Sequence, residues 1–239
     1  MFSREDMTMR ARGASLLICV MFVCLAGCQF SNALWRRQGH DAVRAKDLQT
    51  AEDRFGRAVA RNPTDWRAHF HLGLIHLEQD RATEAEQSFE RALSVCSDPN
   101  YVPAIIDGLA ESLARQQRAE RLAEVLRDAC VRYGTSYDYL RQGRYLARIH
   151  DVDGANLAFR KAARFAPGDP VPYLEMADLY ESINDRGRAI EALRRAYLTD
   201  PADRRAAERL RGYGIVPGPT IALSPEKEPT VVEIEPTDY

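Results

Sequence analysis

Histidines in one segment are the first residues whose types and spacing suggest chemistry. His69 and His76 are seven residues apart, so both side chains lie on one face of a helix, and His71 is close by. A transition-metal site generally needs at least three converging protein ligands, and the next helical segment offers no obvious third one. Packing of the two rings is therefore the favoured interpretation, and a metal site at His69 and His76 is the alternative.

The segment 150–154 is a second candidate, because Asp151, Asp153 and Gly154 are similar to part of a calcium-binding loop. A complete loop needs further oxygen ligands and ends in a Glu at its twelfth position, and these are absent. Asp and Gly are also typical turn residues, so a turn is predicted. The sequence contains no serine nucleophile elbow, Cys–His pair or phosphate-cradling glycine loop. We therefore predict no catalysis and no cofactor.

Charge and composition narrow the function classes. The 239 residues include 33 Lys and Arg against 35 Asp and Glu, a formal net charge of -2. That balance argues against a nucleic-acid-binding protein that works by bulk positive charge. Hydrophobic residues at 45% and charged residues at 28% are typical of a globular chain.

The N-terminus has the pattern of an export signal. Arg4, Arg10 and Arg12 precede an apolar stretch over residues 14–26. As a helix this stretch is about 20 Å long, which is too short for a hydrocarbon core of about 30 Å but typical of a signal peptide. An uncleaved anchor and ordinary signal cleavage remain alternatives to the interpretation that follows.

The stretch ends in Leu25-Ala26-Gly27-Cys28, which resembles the bacterial lipobox. The resemblance implies that residues 1–27 are a lipoprotein signal peptide, that Cys28 is acylated, and that the chain is anchored in the bacterial cell envelope. Gln29 stands where the lipoprotein family commonly uses Asp for inner-membrane retention. The periplasmic face of the outer membrane is therefore the expected location.

Residues after the signal show a repeat. A small residue, a large apolar residue and a second small residue recur at intervals of 34, 70 and 34. The interval of 70 is two periods plus two residues, so we predict a diverged unit within it that has no landmark Gly or Pro. Each unit is expected to be two antiparallel helices, with the aromatic side chain filling the space to the next unit. The three series are Ala51, Ala85, Ala155, Ala189; Phe55, Phe89, Phe159, Leu193; and Ala58, Ala92, Ala162, Ala196.

With these landmarks the chain resembles the tetratricopeptide repeat family. The resemblance implies an all-α, right-handed superhelical solenoid of about five helix-turn-helix units and a role in protein–protein interaction. A capping helix over 204–214 and a disordered, Pro-rich acidic tail over 215–239 are expected to follow the repeat domain 28–203. The units are 32–65, 66–99, the diverged 100–135, 136–169 and 170–203.

Two cysteines, Cys96 and Cys130, remain in the repeat domain after Cys28. Both are late in predicted helices of neighbouring units, where equivalent positions are about 10 Å apart and beyond the reach of a disulfide. Although an extracytoplasmic compartment permits a disulfide, two separate and largely buried thiols are predicted.

The resemblance further implies that the first helices of successive units line a concave groove. Arg141, Arg144 and Arg148 would form one stripe, and charge reversal at Arg141 with Arg144 is expected to weaken partner binding without unfolding the domain. An extended acidic peptide with apolar anchors is the expected ligand, and residues 226–238 of the tail have that composition. A solvated helix face is the simpler alternative. The candidate groove residues are Arg36, His40, Arg44, Arg67, Phe70, Leu74, Arg141, Arg144 and Arg148.

The sequence as a whole favours a lipid-anchored scaffold for protein–protein interactions in the bacterial envelope, for example in assembly of a secretion or pilus complex. Its partners would be envelope proteins, with membrane attachment through the lipid and no nucleic acid. The alternative is a ligand- or metal-binding accessory subunit of an envelope enzyme or transport system.

Overall fold

The computed structural model describes residues 32–218, and within that range every regular element is an α-helix. The predicted signal peptide 1–27, Cys28 and residues 219–239 of the predicted tail lie outside the described residues. None of the described helices is both long and apolar enough to cross a membrane. The helices are α1 (32–44), α2 (Leu48–Arg61), α3 (Trp66–Glu78), α4 (Ala82–Val95), α5 (Val102–Arg115), α6 (Ala119–Arg132), α7 (Ser136–Arg148), α8 (Val152–Phe165), α9 (Val171–Ser182), α10 (Arg186–Thr199) and α11 (Arg204–Gly212).

The helices pack in consecutive order within two compact units that divide between Ala129 and Cys130. In the N-terminal unit, α3 packs on α2 and α4, and α4 packs on α5. In the C-terminal unit, α8 packs on α7 and α9, α10 packs on α9, and α11 packs on α10. The prediction of an all-α chain of helix-turn-helix units with a C-terminal capping helix is confirmed.

Each helix pair turns in the same way. One residue with φ between +58° and +63° ends the first helix, and in three pairs an Asp that follows accepts a hydrogen bond from the third residue after it. Asp151 does this for Gly154, so the segment 150–154 is the predicted turn. Gln117 follows Asp80 by 37 residues and precedes His150 by 33. The interval of 70 is therefore divided unevenly, with three extra residues before the turn of the diverged unit.

Phe89 fills the space between one helix pair and the next. A Cβ atom added to Gly73 would lie 2.7 Å from Cε1 of Phe89, and one added to Gly108 would lie 2.4 Å from it. Gly73 belongs to the same pair as Phe89, and Gly108 belongs to the following pair. The diverged unit has the buried Ala110 at the landmark glycine position. The glycine that makes room for Phe89 is Gly108, two residues earlier.

The cores repeat with the helices. Ala51, Phe55 and Ala58 are fully buried in the N-terminal unit. In the C-terminal unit Phe159, Leu193 and Leu210 belong to one continuous core, so α11 closes that core. Cys96 is half-buried and Cys130 is buried, and both thiols are free. The prediction of two separate thiols is confirmed, and burial raises the pKa of Cys130 to about 11.

Candidate functional site

The N-terminal unit has an open cleft of about 530 Å³ on α1 and the start of α3. It contains four of the groove residues that the sequence predicted, Arg36, His40, Arg44 and Arg67, together with Arg37, which the sequence reasoning missed. Asp41 is the single acidic residue of the lining. We call this site the basic cleft; its lining residues are Ala33, Arg36, Arg37, His40, Asp41, Arg44 and Arg67.

Asp65 positions one side of the basic cleft. This buried residue caps α3 by accepting a hydrogen bond from the backbone N–H of Ala68 at 3.2 Å. It also accepts hydrogen bonds from Asn32 at 2.6 Å and from Arg36 at 3.3 Å. Asp65 therefore balances the charge of Arg36. Arg44 is only 3.7 Å from Asp41, but both side chains are well exposed, so this pair binds weakly.

Aromatic rings hold Arg67 at the other side of the cleft. The guanidinium lies over the Trp66 ring, 4.2 Å from its centroid, and 5.9 Å from that of Tyr101. Two further predicted groove residues follow on α3: Phe70 is half-buried and Leu74 is exposed. Arg67, Phe70 and Leu74 occur at helix spacings of three and four, so they share one face. Basic and apolar groups are thus adjacent along α3.

Two histidines meet beside the arginines. The rings of His40 and His71 are 4.3 Å apart and nearly perpendicular, and His71 stacks on Phe55 at 4.9 Å. Burial, with smaller contributions from His40 and Arg36, lowers the pKa of His71 to about 4. Burial and then Arg44 and Arg36 lower the pKa of His40, and Asp41 opposes that shift. The sequence reasoning overlooked His71 as a site residue because it considered the spacing of His69 and His76 alone.

His69 and His76 themselves are packed and hydrogen-bonded. Nε2 of His69 is 3.0 Å from the carbonyl oxygen of Pro63, and Nδ1 of His76 is 3.2 Å from Oγ of Ser88. Within residues 32–218, no group of three or more His, Cys, Asp or Glu side chains is placed to hold a metal ion. The two rings therefore act as packing residues in this structure.

The C-terminal unit treats its predicted arginines differently. The side chain of Arg141 is only 2% exposed and donates a hydrogen bond to the buried Asp138 at 2.9 Å. Its guanidinium also lies over the Tyr137 ring. The prediction that Arg141 contributes to a ligand-facing stripe is wrong, because a mid-helix arginine next to a buried carboxylate is drawn inward. A glutamate at this position would face Asp138 in a buried site, so its charge reversal is no test of binding alone.

Arg144 and Arg148 stay at the surface of the same unit. Arg144 is 45% exposed but donates to Oε1 of Glu175 through Nε at 2.8 Å and Nη2 at 2.6 Å. Arg148 is exposed and lies over the ring of Tyr145. The three arginines of α7 therefore do not form one open stripe.

Residues 36–101 and residues 172–203 each match a family model for the tetratricopeptide repeat. The first match spans most of α1, which carries the basic cleft, and all of α2 to α4. These two segments are therefore recognised as tetratricopeptide repeats. Proteins with tetratricopeptide repeats generally mediate protein–protein interactions and are typically non-enzymatic.

Solved structures of tetratricopeptide-repeat proteins share this fold at low sequence identity. MamA from Desulfovibrio magneticus RS-1 is 12% identical with a TM-score of 0.56, over 72% of this chain and 97% of its own. Pseudomonas aeruginosa pilF is 18% identical with a TM-score of 0.55, over 79% and 86%. YrrB, described as having an unusual peptide-binding site, is 17% identical with a TM-score of 0.51, over 74% and 90%. No curated protein matches the sequence.

Proposed function

We propose that this protein is a lipid-anchored scaffold that holds partner proteins of the bacterial cell envelope by binding an extended acidic segment in the basic cleft. The observation that carries the proposal is the cleft lining, which contains four arginines, a histidine and one aspartate, with Arg36 and Arg67 also in contact with Asp65 and Asp98 outside the lining. Arginine binds carboxylates through charge-assisted hydrogen bonds. The proposal includes no catalytic step and no nucleic-acid ligand.

The surface of α3 supports an apolar component in the ligand. Arg67 is followed on the same face by Phe70 and by the exposed Leu74. An extended segment that places a carboxylate on Arg67 would bring its neighbouring side chains to these two residues. The preferred ligand therefore combines acidic residues with apolar anchors, which is a common mode of peptide recognition by a helical groove.

Attachment to the membrane is the second part of the proposal, and the sequence alone supports it. The apolar stretch 14–26 ends at the lipobox-like Cys28, and several acyl chains on one residue anchor a protein stably where a single chain does not. Gln29 favours the periplasmic face of the outer membrane. We propose assembly of an envelope, secretion or pilus complex as the setting.

Binding to the basic cleft can be measured with a labelled peptide that has the sequence of residues 226–238. These residues include five acidic side chains and the apolar Val231, Val232 and Ile234. Added to the full-length chain, the peptide should bind, and a version with Gln and Asn in place of Glu and Asp should not. Arg37→Glu with Arg44→Glu should weaken binding at least about tenfold, most strongly at low salt.

A matched control reverses two exposed arginines outside the cleft, Arg91→Glu with Arg127→Glu. This variant has the same net charge as the cleft variant and should bind the peptide nearly as well as the unaltered chain. Equal losses in both variants would show that binding follows net charge, and the cleft would then not be the site.

Anchoring is tested separately with Cys28→Ser. This change should abolish acylation and release the protein from the membrane fraction, or leave it with an unprocessed signal. Cys96→Ser should have neither effect. A Cys28→Ser protein that stays in the membrane fraction with a processed N-terminus would exclude the lipobox interpretation.

A further inference from the structure

His40 sits where a ligand in the basic cleft would change its charge environment. The side chain is exposed and lines the cleft. Partial burial lowers its pKa most, and on its own helix Arg44 and Arg36 lower it further, while Asp41 opposes them. Adding a proton to His40 in the empty cleft therefore adds a positive charge to a site that is already positive.

The other elements packed against His40 provide no negative charge that is not already paired. From α2 the ring of Phe55 contacts it edge-on at 5.3 Å, and from α3 His71 contacts it at 4.3 Å. Arg67 of α3 lines the same cleft. Asp65 is engaged by Asn32 and Arg36. Apart from Asp41 on its own helix, the charge that would stabilise a protonated His40 must therefore come from a ligand.

We infer that His40 takes up one proton when an acidic segment binds in the basic cleft, so that binding strengthens as the pH falls. This inference rests on the proposed function and adds a regulatory property to the same site. A bound carboxylate offsets the arginines and can accept a hydrogen bond from the imidazolium, which favours the charged form of His40. By linkage, a group that gains proton affinity on binding makes the affinity for the ligand rise with acidification.

One proton is expected rather than two. His71 is held between Phe55 and His40, and its pKa of about 4 keeps it neutral down to pH 5.5. A second imidazolium would also stand 4.3 Å from the first, where like charges repel. His71 therefore supports His40 by packing and does not titrate in the relevant range.

The test is the pH dependence of peptide binding by the full-length chain. The labelled peptide 226–238 is titrated at pH 7.5, 6.5 and 5.5 at constant ionic strength, where Asp and Glu of ordinary pKa stay ionised. A rise of about one unit in the pKa of His40 on binding would tighten the dissociation constant about fivefold across this range. Calorimetry at pH 6.5 in two buffers of different ionisation enthalpy should, for the same pKa rise, show net uptake of about half a proton.

Two histidine variants decide which residue carries the effect. His40→Gln should abolish the pH dependence and the proton uptake. His150→Asn should retain both, because His150 lies in the turn before α8 with φ of +63°, a conformation that Asn tolerates. A pH dependence that survives His40→Gln, or that is absent in the unaltered chain while the peptide binds, would overturn the inference and leave the proposed function standing. Absence of peptide binding at every pH would overturn the proposed function and the inference together.

Discussion

Helices α1 and α7 place basic residues at the same repeat positions but use them differently. Arg37, His40 and Arg44 of α1 each have a counterpart 104 residues later in α7. All three are exposed in α1, whereas in α7 the first is buried and the second is bound to a carboxylate. The corresponding pairs are Arg37 and Arg141, His40 and Arg144, and Arg44 and Arg148.

The residue three positions earlier explains the first difference. Asp138 precedes Arg141, is buried, and pairs with it at 2.9 Å. The counterpart of Asp138 in α1 is Leu34, which is 52% exposed and carries no charge. Arg37 therefore has no carboxylate at the i−3 position and stays in the cleft lining. The repeat position therefore determines the place of a residue on its helix, and neighbouring side chains determine whether that residue is buried or exposed.

The residue across the groove explains the second difference. His40 meets His71, and Arg144 meets Glu175, which are again pairs separated by 104 residues. In the C-terminal unit the contact is a compensated ion pair. In the N-terminal unit it is a pair of titratable rings among arginines. The same contact thus contains a carboxylate in one unit and no carboxylate in the other.

Loss of the buried pair should have the largest effect on stability. Arg141→Ala leaves Asp138 buried without its counter-charge, although Thr135 still donates to it. We expect the free energy of unfolding to fall by about 3 kcal/mol, since breaking a buried pair exposes the cost of an uncompensated charge. Arg37→Ala at the equivalent position should change it by less than about 0.5 kcal/mol. Similar losses in chemical denaturation of the two variants would contradict the comparison.

Larger side chains in the helix-pair cores of the two units should lower stability by similar amounts. Ala51 and Ala155 are equivalent, fully buried positions. Ala51→Leu and Ala155→Leu should each lower the free energy of unfolding by about 1–3 kcal/mol, because the added side chain forces the paired helices apart. Ala104→Leu, on an exposed position of α5, should cost almost nothing. A large effect in one unit and none in the other would show that the units differ in packing as well as charge.

Transferring the closed contact into the open cleft should weaken peptide binding. His71→Glu recreates beside His40 the carboxylate that Glu175 supplies beside Arg144. A negative charge next to the cleft residue His40 should lower the affinity for the peptide 226–238 about tenfold at low salt. His71→Gln is the neutral control and should cost much less. Equal affinities of His71→Glu and His71→Gln for the peptide would show that binding does not depend on the charge at this position.

Opening the closed contact should produce the smallest change. Glu175→Gln releases a largely solvent-facing pair, so the free energy of unfolding should stay within about 0.5 kcal/mol. Peptide affinity should stay unchanged, because Glu175 lies in the C-terminal unit and the basic cleft lies in the N-terminal unit. A fall in affinity would show that Glu175 has a different role from the one inferred here.

The repeat and its helices were predictable from the sequence alone. Ala51 and Ala58 recur because two helices can approach closely only over small side chains, and Phe55 recurs because an aromatic ring fills the space between helix pairs. The turn at His150 and Asp151 was predictable for a different reason, because residues with local turn preferences determine it. The uneven spacing around the diverged unit was not, because the extra residues lie where Ser97 to Tyr101 leave the helical pattern.

The sequence by itself determined the helix-turn-helix repeats, their small and aromatic landmarks and the general location of basic side chains on the first helices. Only the tertiary structure decided which of those side chains remain open. Arg141 was expected at the surface and is buried. His71 was not predicted as a site residue, and its ring contacts that of His40. Helical spacing specifies direction around one axis, whereas burial and charge compensation depend on side chains from other helices, such as Glu175 for Arg144 and Asp65 for Arg36. The repeat period carries no information about those partners.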